Sequence, residues 1–332
     1  MNIIRNGLIA FLLLTGFLTI AHAKEKPTKD LFALKPGNDP VLFAPGFIST
    51  GLYVRDTAIS PDYKEFYFTV MTNTLSKIIV TKKSAKNWTP PEVASFSSNT
   101  DYGDVEPHIT PDGNHLYFLS TRPLPGKEYK PGWQNQNLWG MDKTDTGWSE
   151  PYPLPSVINN GDNVFFPSVT SNGTLYFCRE KQDTRETYIY RSIKVTGTYT
   201  EPELLPKQVN STTSQFNACI APDESYIIIC TSLLKDKIGF TDYYVVFRSK
   251  DDQWSEPINL GNTINKPGAQ AVSPYITSDG KYFFFASNMM KSLPNPISME
   301  ILQKMNNEPQ NGRSALYWVS TEIIEKLRPK GF

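Results

Sequence analysis

Two short phrases recur along the chain in a fixed order, and no other feature of the sequence constrains the fold as much. The first is "AISPDYKEFYF" from Ala58, "HITPDGNHLYF" from His108, "SVTSNGTLYF" from Ser168, "CIAPDESYIII" from Cys219 and "YITSDGKYFFF" from Tyr275. Each copy sets a short apolar strand before a turn of Pro or Ser, Asp or Asn and usually Gly, then a strand of aromatic and β-branched residues. Proline presets a turn dihedral, the acid or amide bonds back to the chain and glycine accepts a positive φ, so each copy specifies a hairpin. A third apolar run follows every hairpin: "KIIVTKK", "NLWGMDK", "TYIYRSI", "YYVVFRS" and "ALYWVST". After four of these comes the second phrase: "NWTPPEVA" from Asn87, "GWSEPYPL" from Gly147, "TYTEPELL" from Thr198 and "QWSEPINL" from Gln253. Its proline lacks an N–H, which is harmless on a sheet edge, so the phrase reads as an outer fourth strand with a large aromatic at its start.

Four strands per unit, repeated radially, predict an all-β fold, a five-bladed β-propeller, with six blades as the alternative count. The fifth hairpin lacks an outer-strand phrase. "VLFAPGFIST" from Val41 is expected to supply that strand, with Pro45 in the place of Pro257 and Ile48 in that of Leu260, so that the termini close the ring and no free edge remains. The chain end, "TEIIEKLRPKGF", suits a short amphipathic helix through Ile323, Ile324 and Leu327.

The N-terminus carries one charge at Arg5, an apolar run from Leu8 to Ile20 and an A-x-A pattern at Ala21 and Ala23. This reads as a secretory signal over residues 1–23, followed by a linker over 24–39 and a single propeller domain over 40–332. The expected location is the periplasm or the exterior, with no membrane span after signal removal. With 33 basic and 33 acidic residues the chain has no electrostatic footprint for nucleic acid. Its three cysteines, Cys178, Cys219 and Cys230, form an odd set without zinc-ligand spacing and read as buried thiols.

The phrases "SPDYKEFYF", "TPDGNHLYF" and "TSDGKYFFF" resemble the PD40 or WD40-like propeller repeats of the family that includes TolB, over roughly residues 40 to 320. The resemblance implies a propeller and, in its TolB-like form, a periplasmic protein partner. TolB carries an additional N-terminal α/β domain, for which the short stretch ahead of the first strand leaves no room.

Inner strands line a propeller's channel, and the loops on one face usually carry function. Aligning the inner strands puts Asp56, Glu106, Phe166, Asn217 and Ser273 in one column and Val54, Asp104, Val164, Gln215 and Ala271 in another. The acids Asp56, Asp104 and Glu106, with His108 nearby, are therefore the candidates for acid/base chemistry; the alternative is that they accept N–H bonds where blades meet. Arg122, Trp133, Gln215 and Asn217 are the candidate ligand-binding residues, Trp133 because it stands in the rim loop "TRPLPGKEYKPGWQNQ". Asn99, Asn159, Asn210 and Asn265, with Ser49, recur ahead of the inner strands and read as turn residues or as amides offered to a ligand. No motif calls for a cofactor or fixes a metal site; a divalent cation at the acids is the one option. The function expected is a monomeric binding module for a carbohydrate, a cell-envelope component or a protein. A glycan-cleaving enzyme and a TolB-like scaffold are the alternatives.

Overall fold

A computed structural model describes residues 30–332 other than Lys86. The expected signal, residues 1–23, lies outside the described residues. Five antiparallel sheets form a five-bladed β-propeller. From the axis outward, blade 1 runs Tyr53–Ile59, Glu65–Met71, Ser76–Ser84 and Glu92–Val93. Blade 2 runs Asp104–Ile109, His115–Ser120, Asn137–Thr144 and Tyr152–Pro153. Blade 3 is Asn163–Val169, Leu175–Glu180, Thr187–Ser192 and Glu203–Leu204. Blade 4 is Gln215–Ile220, Tyr226–Thr231, Asp242–Phe247 and Ile258–Asn259. Blade 5 combines Val272–Ile276, Tyr282–Ser287 and Ala315–Ser320 with the N-terminal strand Val41–Leu42.

The hairpins form for the local reasons their residues supply. Thr110 donates to Asp112, which accepts the Asn114 amide at 3.0 Å, while the His115 amide reaches Thr110 Oγ1 at 3.0 Å. Thr277 and Asp279 repeat the pattern. The outer-strand phrase works differently from its sequence reading. Its aromatic lies in a short ladder on the end of the third strand, as Trp88 does opposite Lys83 and Trp148 opposite Lys143. The proline then breaks that ladder, and only the next two residues form the outer strand. The aromatic ties its blade to the preceding one: Trp148 Nε1 donates to the Tyr67 hydroxyl at 2.9 Å, and the Tyr199 hydroxyl to that of Tyr117 at 3.2 Å.

The ring closes through the N-terminal strand, but five residues earlier than expected. Val41 pairs with Trp318 and Leu42 with Tyr317, as Ile258 pairs with Val245 and Asn259 with Tyr244. Pro40 therefore takes the place of Pro257, and Phe43, whose N–H reaches Leu316 O at 2.8 Å, that of Leu260, whose N–H reaches Tyr243 O at 3.1 Å. Pro45 and Ile48 belong to the following connection. Within the stretch expected as a linker, Leu31 and Phe32 are buried, and the Phe32 ring lies 5.9 Å from Trp88 and 6.0 Å from Trp318. At the C-terminus Glu322–Glu325 is helical and buries Ile324. Phe43 is the keystone of this closure, with its ring 5.0 Å from Phe66 and from Phe284 and 5.3 Å from Trp318. Phe43→Ala is expected to cost about 3–5 kcal/mol of stability. Urea unfolding checks this: a lower midpoint with an unchanged slope is the result expected.

Candidate functional site

Every inner strand breaks register ahead of its hairpin turn, between Arg55 and Ala58, Val105 and His108, Phe165 and Ser168, Phe216 and Cys219, and Val272 and Tyr275. The residue at each break has a left-handed backbone: Asp56 at φ 58°, Glu106 at 58°, Phe166 at 54°, Asn217 at 47° and Ser273 at 59°. A bulge of this kind withdraws an amide from the ladder, and a buried amide needs another acceptor. At three of the five breaks a side chain of the neighbouring blade provides it. Asp56 Oδ2 accepts Glu106 N–H at 3.0 Å, Glu106 Oε2 accepts Phe166 N–H at 2.8 Å, and Asn217 Oδ1 lies 3.4 Å from Ser273 N. A second tier lies two residues on, where His108 Nε2 accepts Val169 N–H at 2.9 Å, Ser168 Oγ accepts Ile220 N–H at 3.1 Å and the Tyr275 hydroxyl accepts Ile59 N–H at 3.3 Å.

Arg55 sits over this ring. Its Nε donates to Asp56 Oδ1 at 2.9 Å and to Ser273 Oγ at 3.1 Å; Nη2 donates to Glu106 Oε1 at 2.9 Å and approaches Asn217 Oδ1 at 3.4 Å. One side chain thus joins four blades. The space beside Asp56, Glu106, His108 and Tyr275 amounts to about 10 Å³, room for about one water. Burial, together with the Asp56 charge and against the pull of Arg55, pushes Glu106 up to about 7. Burial drives His108 down to about 4, and the Val169 N–H directed at Nε2 requires the unprotonated nitrogen there.

Two predictions follow from these groups. Arg55→Met strands two buried carboxylates and is expected to cost about 3–5 kcal/mol, with part of the loss recovered when Asp56→Asn and Glu106→Gln are added; thermal unfolding of the single and triple variants compares them. The second concerns pH. Glu106, raised on folding, contributes stability at low pH that is lost as pH rises from its ordinary 4.5 to about 7. His108, depressed on folding, contributes stability above its ordinary 6.5 that is lost as pH falls toward about 4. The two slopes oppose each other where the windows overlap. His108→Gln keeps an acceptor for Val169 and removes one slope, so the variant is expected to gain on wild type progressively as pH falls through the histidine window. Melting temperatures of both proteins in a buffer series check this.

The four acid/base candidates do not form one cluster. Asp56 and Glu106 meet across Arg55, and His108 lies in the second tier. Asp104 turns elsewhere, taking Arg122 Nη2 at 2.9 Å on Oδ1 and leaving Oδ2 without a partner among the described residues. Arg122 is itself held by Ser120 Oγ at 2.9 Å and Phe96 O at 3.0 Å, with its guanidinium 5.3 Å from the rings of both Phe118 and Trp139. Gln215 is buried and bonds Thr212 and the Thr187 carbonyl; Asn217 belongs to the ring. The recurrent asparagines clasp the third strand of their own blade. Asn159 bonds the N–H and C=O of Leu138, Asn210 those of Ile189 and Asn265 those of Tyr243. Ser49 does so at Leu316. In blade 1 Ser97 takes this role with Ile78, and Asn99 instead turns the chain through Asp101 N–H at 2.8 Å.

Trp133 alone among the candidate acid/base and ligand-binding residues is exposed, at 42%. It stands on the blade 2 insertion, residues 121–136, with its ring against Gly103. Tyr129 is exposed beside it and fastens the insertion by donating to Asp101 O at 2.6 Å. Where this insertion meets blade 3 there is a cleft of about 480 Å³ whose lining combines six carboxamide side chains, those of Gln134, Asn135, Gln136, Asn137, Asn163 and Gln182, with two basic and two acidic ones, Lys127, Lys130, Glu128 and Asp162. The sequence reading missed these amides, although "QNQN" at 134–137 was the signal for them. It also missed Arg55, whose column otherwise holds Val105, Phe165, Phe216 and Val272.

The fold defines a five-bladed propeller with a plugged channel and long second-to-third strand connections in three blades, residues 121–136, 232–241 and 288–314. No family model matches the sequence, and no curated protein matches it. Solved structures with similar backbones include TolB from Acinetobacter baumannii, at 13% identity and a TM-score of 0.48, covering 81% of this chain and 57% of that one. This chain therefore spans less than two thirds of TolB's length. A thermostable family-43 glycoside hydrolase matches at 9% identity and a TM-score of 0.48, over 80% of this chain and 89% of that one. A GH62 hydrolase in complex with xylotriose matches at 9% and 0.45, over 87% and 99%.

Proposed function

We propose that this chain is an exported binding module that holds a carbohydrate on its loop face, at the blade 2 insertion. The observation that carries the reading is a contrast. The polar groups of the channel are engaged with one another around a space of about 10 Å³, whereas the blade 2 insertion carries an exposed tryptophan toward blade 1 and borders a 480 Å³ cleft rich in carboxamides toward blade 3. Carboxamides offer both donors and acceptors to sugar hydroxyls, and a flat indole face suits the apolar side of a pyranose ring. The glycan-cleaving alternative would use Asp56 and Glu106 as acid and base. Both oxygens of each are already bonded, and no sugar fits beside them, which favours binding over cleavage. Export rests on the residue 1–23 reading; among the described residues no helix is long and apolar enough to cross a membrane.

A second reading, a TolB-like protein-interaction scaffold of the PD40 type, draws on a different observation. The blade 5 insertion exposes Met290, Ile297, Met299 and Leu302 on the same face. Glycan binding by the wild type distinguishes the readings, and mutating the two regions separately locates the site. Trp133→Ala is expected to weaken glycan binding about tenfold, equivalent to roughly 1.4 kcal/mol, without lowering the melting temperature, because the ring is half exposed. Isothermal titration of wild type and variant with the glycan selected from an array checks this. An effect of Met299→Ser on glycan binding with none from Trp133→Ala would move the glycan site to the blade 5 insertion, and no glycan binding by the wild type would favour the scaffold.

A further inference from the structure

The loop face has walls on only part of its circumference, and this bears on the shape of what it holds. In a blade of consecutive antiparallel strands, the connections between second and third strands share a face with those leading to the next blade. The second-to-third connections are residues 72–75 in blade 1 and 181–186 in blade 3, but 121–136, 232–241 and 288–314 in blades 2, 4 and 5. Blade 2 thus raises a wall on one side of the axis, blades 4 and 5 raise one opposite, and the rim stays low over blades 1 and 3.

These walls are built rather than loose. The blade 2 insertion is tied down by Tyr129 at Asp101 and by Val164 N–H to Gln136 O at 3.0 Å. In blade 4, Asp242 accepts Gly239 N–H at 2.8 Å, and a side chain at Gly239 would collide with Ala269 O at 2.6 Å. The blade 5 insertion contains the helix Met299–Asn307 and is clamped where Arg313 Nη1 donates to Gly51 O at 2.7 Å; a Cβ on Gly51 would fall within 2.7 Å of the Asn307 backbone.

The floor between the walls is the Arg55 column. The contacts of Arg55 with blades 2, 4 and 5 put that position at the axis, and the other members that are only partly buried are Phe165, Phe216 and Val272. Arg55 Nη1 has no hydrogen-bond partner among the described residues, so the floor is apolar with one free donor edge. The charge of Arg55 is more than balanced by Asp56 and Glu106 beneath it, so the floor gives no attraction to a polyanion.

We infer that the loop face is a groove open at both ends, running over blade 1, across the plugged channel and out over blade 3, and that it takes an internal stretch of a neutral, linear polysaccharide. This rests on the carbohydrate reading and goes beyond it. Trp133 and Tyr129 lie toward the blade 1 end and the carboxamide cleft toward the blade 3 end, so one ligand chain reaches both only if it is extended. A pocket for a chain terminus would need a closed end, and the low rims over blades 1 and 3 do not supply one.

The test starts from an array of linear polysaccharides, neutral (β-glucan, α-glucan, xylan, mannan, galactan) and acidic (pectate, alginate), probed with the chain lacking residues 1–23. Calorimetry then follows an oligosaccharide ladder of the bound polymer, together with a long polymer capped at its reducing end with a bulky fluorophore. Affinity is expected to rise at least tenfold from dimer to hexamer, and each capped polymer chain is expected to bind several protein molecules. Gln182→Ala is expected to weaken hexamer binding severalfold and to leave the dimer unchanged. Full affinity for a monosaccharide or dimer, or one protein per chain end, overturns the groove while the carbohydrate reading stands. Tighter binding to pectate or alginate than to any neutral polymer overturns the neutral-chain assignment. No binding anywhere on the array overturns the carbohydrate reading and the groove with it.

Discussion

The amide set free by the bulge in each inner strand is the constraint around which this ring is organised. A bulge turns one residue per blade into the left-handed region, which for a residue with a side chain costs about 1–2 kcal/mol, and it removes one N–H from the sheet. Water cannot meet that N–H, because the channel beside it holds little more than one molecule. The acceptor must come from the next blade, and Asp56, Glu106 and Asn217 provide it at one level while His108, Ser168 and Tyr275 provide it at the other. Strain within a blade is thereby offset by bonds between blades. Where the column carries Phe166, which has no acceptor to offer, the Cys178 thiol lies against the Asn217 and Ala218 amides instead.

Carboxylates used as acceptors in a dry channel bring charge with them, and Arg55 answers that requirement. It neutralises part of the charge, fills the axis and binds blade 1 to blades 2, 4 and 5. The same arrangement rules the channel out as a roomy site. A catalytic acid must be free to meet substrate, whereas each oxygen of Asp56 and Glu106 already accepts a donor. All three cysteines are buried and unpaired near these inner strands, and burial raises the Cys178 thiol to about 12 and Cys219 to about 11, which makes them packing groups rather than nucleophiles.

How much of this could be read from the chain alone depends on how local the physics is. The hairpins were legible because Thr110, Asp112 and Gly113 make their turn with one another. The need for an N-terminal closing strand was legible as well, but its register was not. "PVLF" at 40–43 and "PGFI" at 45–48 both offer a proline followed by an apolar residue three positions on, and only pairing with Tyr317 and Trp318, far away in sequence, chooses between them. The channel column was aligned from its prolines, and the reading of Asp56 and Glu106 as acceptors of N–H groups where blades meet matches their bonds, although which amides they meet carried no sequence signature. Arg55 was detectable in principle as the one charge in an otherwise apolar column. Asn159, Asn210 and Asn265 announced their recurrence but not their targets, which are main-chain groups on another strand.

A ring of near-identical blades has a functional difficulty that its insertions resolve. Five equivalent units present the same backbone around the axis, and in this chain the inner side chains that break the symmetry are committed to holding the blades together. On the reading proposed here, recognition is left to segments that the repeat does not require, the connections in blades 2, 4 and 5. Each is fastened to the loop before an inner strand, at Asp101, at Ala269 and at Gly51. Fastening at those points means that the walls inherit the rigidity of the ring, so little ordering entropy remains to be lost when a ligand is held between them. The polar network that closes the channel and the loops that stand above it are therefore one device, since the first supplies both a solid floor and fixed footings for the second.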